Sequence, residues 1–192
     1  QAAGQALAKA CLRDWFTPKS FDHSIRQLIR RLNWLCAARP DLEFPPLDEA
    51  AILNCLRAAF AGMTLAKQAV AANVKPAFHK HMPSEQWEWL DEFAPQTIPW
   101  LDDKPKRLEY PGKPADKHGN VLPVELHVKL HDCFRLAEHP RICDGEHIVR
   151  FKLLTPKNRK IDYCDDWPTF KQREYPRIRK DLLAKFPGVG WV

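Results

Sequence analysis

Four groups of residues in this chain carry side chains able to do chemistry, and each group implies a different kind of it. Cys133 lies near His127, His131 and Asp132, the makings of a thiol nucleophile with an imidazole base. His79 and His81 form a pair of imidazoles of the sort that begins a metal site. Glu85, Glu88, Asp91 and Glu92 crowd carboxylates into one short stretch, as general acid–base catalysis would need. The fourth group is cationic: Arg141, Lys157, Arg159, Lys160, Arg177, Arg179 and Lys180. Such residues hold phosphates, or they dock on an acidic surface of a protein partner.

The spacing weakens the first three. Cys133 falls in a helical stretch with Leu130, Phe134 and Leu136, which predicts a core thiol, and His127 and His131 read as exposed polar positions. Alternate residues on a helix point apart, so His79 and His81 do not converge, and no third ligand accompanies them. The four carboxylates surround an exposed helix and read as solvated. The sequence also lacks a Walker-type phosphate loop, a G-x-S-x-G elbow and an H-E-x-x-H pair. On motifs, a binding or scaffolding piece is expected rather than a self-sufficient enzyme.

The cationic group is supported by the charge distribution. The formal net charge is +6, and residues 150–185 hold 11 Lys/Arg against 5 Asp/Glu, so 11 − 5 accounts for the whole excess. A basic end of this kind attracts a polyanion, RNA or DNA being the usual one, or serves as a solubilising face.

The elements that must position these residues divide the 192 residues into a helical region, 1–95, and a mixed region, 96–192. Phe21, Ile25, Leu28, Ile29, Leu32 and Leu35 make one apolar stripe of a long amphipathic helix. Arg26, Arg30 and Arg31 lie off the stripe and read as a solvated face, and Trp34 beside it is expected to pack on a neighbouring domain. Asp48 starts a third helix that Gly62 stops, and Ser84 starts one that runs to Ala94-Pro95. The period then falls towards 2. Arg107–Tyr110 reads as a strand, 111–120 as a turn-rich loop, and Val124, Leu126, Val128 and Leu130 as one face of a half-buried strand. Ile148–Leu154 is a further strand ending in the basic turn Lys157-Asn-Arg-Lys160; helices follow from Asp166 or Thr169 and from Tyr175. The expected class is α+β: an N-terminal helical bundle, then a small mixed α/β unit with a mainly antiparallel sheet.

Six cysteines without a C-x-x-C pair suit reduced thiols in a cytoplasmic protein, with neither a disulfide framework nor a zinc site. No apolar run approaches the roughly 18–20 residues of a membrane span. The chain begins at Gln1 without an initiator Met or a signal segment, and reads as a fragment or a processed chain.

The stretch from Pro123 to Trp191 resembles the C-terminal region of bacterial HrpB-type ATP-dependent helicases, in the DEAH-box superfamily. The resemblance rests on Pro123, Val128, Lys129, Leu130, Phe134, Leu136 and Pro140-Arg-Ile142. It continues through Leu153-Leu-Thr-Pro156, Arg159, Asp166 and Phe170, then Tyr175, Ile178-Arg-Lys-Asp-Leu182, Phe186-Pro187 and Trp191. Leu90-Asp91 and Ala94-Pro95 match the junction ahead of it. The family's L-Q-E-L-F-G reads Leu130-His-Asp-Cys-Phe-Arg135 here, its P-S-G-S turn falls on Leu101-Asp-Asp-Lys104, and its basic ending is largely lost in Leu183–Val192. The resemblance implies an accessory region of an RNA-helicase-like ATPase. Its ATP and Mg would be held by two motor domains N-terminal to this region, with no cofactor in the chain itself. Its partners would be those motor domains and RNA, with no membrane. A stand-alone protein–protein interaction module is the alternative.

Overall fold

The computed structural model describes residues 2–101 and 104–191. The turn expected on Leu101–Lys104 therefore includes two positions, Asp102 and Asp103, outside the described residues. The chain folds as two compact units, and the boundary is not a single cut after residue 95. Residues 1–91 and 112–122 form the first, residues 92–111 and 123–192 the second. The Pro/Gly-rich loop assigned by sequence to the mixed region thus packs with the helices.

The helical unit comprises α1 (Ala2–Leu12), α2 (His23–Ala38), α3 (Glu49–Ala59), α4 (Ala66–Ala71), α5 (Lys75–His79) and most of α6 (Ser84–Phe93). The Asp22 carboxylate caps α2 by accepting from the Ser24 and Ile25 amides, and Asp48 caps α3 through the Ala51 amide. Gly62 takes φ +78° after α3, the left-handed conformation that lets the chain leave a helix without a Cβ clash. Gly4 is required for a different reason: a Cβ there would lie 2.6 Å from the Phe60 carbonyl oxygen, so α1 and the end of α3 approach closely only because it is absent. Ile25, Leu32 and Leu35 bury the expected face of α2.

Two residues of α2 depart from expectation. Trp34 is fully buried inside this unit, not presented to a neighbour, and its indole N–H donates to the Leu122 carbonyl at 2.8 Å. Arg31 is not solvated. Its side chain is 4 % exposed, and its Nη2 reaches Asp91 Oδ1 at 2.6 Å and the Leu90 carbonyl at 3.3 Å. Asp91, one of the four crowded carboxylates, is itself 63 % exposed. The aliphatic stem of arginine packs like a hydrophobe while its guanidinium finds these acceptors, which an apolar-stripe reading cannot register.

The mixed unit begins with a short antiparallel pair, β1 (Thr97–Ile98) and β2 (Lys106–Arg107). Its main sheet is built around β5 (His147–Leu154). β3 (Val124–Lys129) lies parallel to β5 in the register Val124↔Val149 to Lys129↔Leu154. β4 (Arg141–Ile142) and β6 (Lys160–Cys164) are antiparallel to β5, with a bulge at Leu153/Leu154. Two of the three strand pairings in this sheet are antiparallel. The longest ladder is nevertheless parallel, because β3 returns to β5 through residues 130–146 and not through a tight hairpin. Those residues include a 3-10 turn at Leu130–Cys133, shorter than the helix the spacing predicts.

Val124, Leu126 and Val128 of β3 and Val149, Phe151 and Leu153 of β5 bury one face of the sheet. α7 (Trp167–Arg173) and α8 (Tyr175–Lys185) complete the unit. Asp166 caps α7 through the Thr169 amide. Trp167, Phe134 and Tyr175 meet edge-on, with centroids 5.5 and 4.7 Å apart. His139 ties α7 to the sheet: its Nδ1 accepts the Trp167 amide at 3.0 Å, and its Nε2 faces the Val149 carbonyl at 2.7 Å. No helix among the described residues is long and apolar enough to cross a membrane.

Candidate nucleic-acid interface

The cationic residues singled out by sequence sit on three elements. Lys157, Arg159 and Lys160 come together on the turn from β5 to β6, and all three are exposed. That turn satisfies its own backbone. The Thr155 amide donates to the Arg159 carbonyl, the Asn158 amide to the Thr155 carbonyl, and the Arg159 amide to Thr155 Oγ1, at 2.8, 2.9 and 3.0 Å. Asn158 adopts φ +58°, a left-handed position that asparagine tolerates. A self-satisfied turn leaves its cationic side chains directed at solvent or at a partner.

Arg177, Arg179 and Lys180 project from α8 and are likewise exposed. Arg177 donates to Glu174 Oε2 at 3.0 Å, a surface pair of the i, i+3 kind. Arg141 has a local structural task. It lies on β4, and its Nη1 donates to the Gly145 carbonyl at 2.6 Å. That bond spans a tight connection in which Cys143, Asp144 and Gly145 all have positive φ, 56°, 55° and 80°. Two consecutive non-glycine residues in that region are strained, and the arginine bridges the turn that holds them.

The remaining candidates are occupied otherwise. The Cys133 thiol is fully buried and donates to the Lys129 carbonyl at 3.6 Å. Burial, with Asp132 nearby, pushes its pKa far above the ordinary value, away from the thiolate a nucleophile requires. Cys164 is pushed up to about 11, chiefly by burial. His127 is 43 % exposed and lies 3.4 Å from Glu125, and His131 is held edge-on by Trp191 at 5.9 Å. His79 stacks on Trp87 with centroids 4.5 Å apart, and His81 Nε2 faces the Pro45 carbonyl at 3.1 Å.

Sequence reasoning passed over the face of the sheet opposite the core. The strand register arranges that face in transverse rows. Glu125, Arg150 and, by continuation of the β6 register, Asp165 make the first; His127, Lys152 and Tyr163 make the second; Lys129, Leu154 and Lys160 make the third. Arg150 and Asp165 form a two-point ion pair at 2.8 and 2.6 Å, which lowers the pKa of the aspartate and raises that of the arginine. Tyr163 is 41 % exposed, with the Lys160 ammonium 3.9 Å from its ring centroid and the Arg150 guanidinium 5.8 Å away. The available signal was the alternation along β5, where Arg150 and Lys152 fall between the buried Val149, Phe151 and Leu153; that Tyr163 joins them follows only from the strand register.

Comparison with known proteins agrees with this architecture. The family model HrpB_C, described as ATP-dependent helicase C-terminal, matches residues 55–192. The ATP-dependent RNA helicase HrpB of Escherichia coli (strain K12) is 22% identical over 169 residues, covering 84% of this chain and 20% of that protein. The crystal structure of the E. coli DExH-box NTPase HrpB superposes with a TM-score of 0.74 at 19% identity, over 89% of this chain and 21% of that one. A second, of the Escherichia coli DEAH/RHA helicase HrpB, gives 0.69 at 18% identity, over 98% and 23%. The chain thus spans about a fifth of the length of the relatives it matches.

Proposed function

This chain belongs to the C-terminal family of HrpB-type ATP-dependent helicases, and from that premise we propose that it packs on a helicase motor and extends the RNA path by backbone contacts. In this reading ATP and Mg are bound by motor domains carried elsewhere in the parent helicase, and the chain contributes no hydrolytic group. The observation that carries the RNA contact is the β5–β6 turn. Lys157, Arg159 and Lys160 are presented by a backbone that has already satisfied its own hydrogen bonds, and all three side chains are exposed, Lys160 resting over the Tyr163 ring. Contacts of this type bind phosphate without reading sequence, and α8 adds Arg177, Arg179 and Lys180.

Docking on the motor is supported by the helical unit, which exposes Trp15 and Leu65, 75 % and 62 % accessible. Large apolar groups that face water at this extent suit a protein contact. The test has two arms. The 192-residue chain is titrated with a single-stranded RNA oligonucleotide at rising salt, and separately with motor domains from the same helicase. Affinity for RNA should fall with a log–log slope of about −0.7 for each phosphate contacted. Absence of RNA binding at low salt removes the RNA contact and leaves docking. Absence of motor binding removes docking and favours the stand-alone interaction module.

A further inference from the structure

We infer that the open face of the main sheet is a stacking platform for single-stranded RNA, with Tyr163 as the residue on which a base stacks. This rests on the RNA contact proposed above and names the surface that makes it. The face has two properties that a merely solvated sheet surface does not combine. Its middle row places an exposed aromatic ring, Tyr163, beside Lys152 and His127. Its charge also changes sign along the strands. In the first row Glu125 and Asp165 outnumber Arg150, whereas the third row brings Lys129 and Lys160 together and leads directly into Lys157 and Arg159 on the turn.

A polyanion crossing this face is therefore repelled at one end and attracted at the other, with the aromatic ring between the two. A single strand that lays its phosphates on the basic end brings a base over the ring. Stacking of bases on aromatic side chains next to a cationic track is the general chemistry of sequence-tolerant single-strand binding. Double-stranded nucleic acid does not fit, because its bases are already stacked and a flat sheet face cannot reach into the deep, narrow groove of an RNA duplex.

Lys160 decides how the site is held before RNA arrives. Its ammonium lies 3.9 Å from the Tyr163 ring centroid, a cation–π contact at an exposed position. Base stacking on the same ring is the stronger of the two interactions, so an incoming base displaces the ammonium. The released lysine remains on the third row, where it pairs with the phosphate of the nucleotide it made way for. One side chain thus covers the ring in the free protein and holds the backbone in the complex.

The experiment uses the complete chain, a fluorescein-labelled uridine hexamer, and a hexamer with the same phosphates but abasic sugars, with binding read by anisotropy. Wild type should bind the uridine hexamer at least about fivefold more tightly than the abasic one. Tyr163→Ala should remove that preference while keeping the salt slope, and Tyr163→Phe should retain it. The pair Lys157→Ala with Arg159→Ala should make the slope shallower for both oligonucleotides. Tyr163 lies off the buried face, and unchanged thermal melting of each variant checks that the sheet is intact. If Tyr163→Ala binds both hexamers as wild type does while the turn variant weakens, the platform is overturned and the phosphate contact stands. If wild type binds neither, platform and RNA contact fall together.

Discussion

The two units use their polar side chains in opposite ways. In the helical unit they reach inward and join segments distant in sequence. The Trp34 indole holds the Leu122 carbonyl, and Arg31 holds Asp91 and the Leu90 carbonyl. Asn33 both donates to the Leu47 carbonyl and accepts its amide, and Ser20 does the same with the Ala72 carbonyl and the Val74 amide. In the mixed unit, backbone ladders do the joining, and most charged groups stand on the outer face or on turns. Helices bond internally and need side chains to fix their mutual positions, while a sheet is cross-linked by its backbone. The sheet unit is therefore freer to devote its side chains to a partner.

The sharpest way to break this contrast is Trp34→Ala. Trp34 is 0 % exposed, and truncation removes its packing and leaves the Leu122 carbonyl without its donor. A loss of about 3–5 kcal/mol of unfolding free energy is expected in a urea titration. Trp34→Phe, which keeps much of the volume and removes the N–H, should lose about 1–3 kcal/mol. If the phenylalanine variant were as stable as wild type, the hydrogen bond to the 112–122 segment would have no part in holding the helical unit.

How much of this could be read beforehand follows the same division. The amphipathic period of α2 revealed Ile25, Leu32 and Leu35 as core, and the caps at Asp48 and Asp166 were visible as residue types in the right places. Arg31 and Trp34 were not, since a periodic stripe reports only apolar burial and both residues are placed by partners about 60 and 90 positions away. The basic turn was legible because its charge is local in sequence. The platform was not, because Tyr163, Lys152 and His127 become neighbours only through a strand register that includes a parallel pairing, and register is a tertiary property. The clustered family positions located the unit, and its apolar and turn residues describe its scaffold more fully than its surface.

The mixed unit also holds inward polar groups that qualify the contrast, the Tyr110 hydroxyl on the Pro95 carbonyl and His139, and acidification tests the second. His139 accepts an amide at Nδ1 and faces a carbonyl at Nε2, which fixes the neutral tautomer with its proton on Nε2. Burial lowers its pKa below the ordinary histidine value, and the lower value prevails although Asp165 and Asp166 act to raise it. The folded state therefore binds this proton less readily than the unfolded chain. Its contribution is complete above a pH of about 6.5 and declines as pH falls from there towards the depressed folded value. His147 is shifted in the same direction by desolvation and adds to the decline. The hydrogen-bonded carboxylates Asp165 and Asp116 are lowered, so their contributions are lost only at more acid pH. Urea midpoints measured from pH 7.5 to 5 should fall for wild type and fall less for His139→Gln. Equal slopes would show that the histidine is not an internal tie of this unit.

The smallest effect on stability is expected at Arg177, and it sharpens the comparison most. Its guanidinium pairs with Glu174 across one turn of an exposed helix surface, with side chains 73 % and 48 % accessible. An ion pair so placed is screened by water and salt, and Arg177→Ala should change unfolding free energy by less than about 0.5 kcal/mol. If α8 lies on the RNA path, the same substitution should still reduce the magnitude of the RNA salt slope by about 0.7, because one phosphate loses its cation. A variant with unchanged stability and a shallower slope assigns the charge to the ligand. One with reduced stability and an unchanged slope returns it to the fold, and α8 would then resemble the helical unit, its cations spent on internal partners.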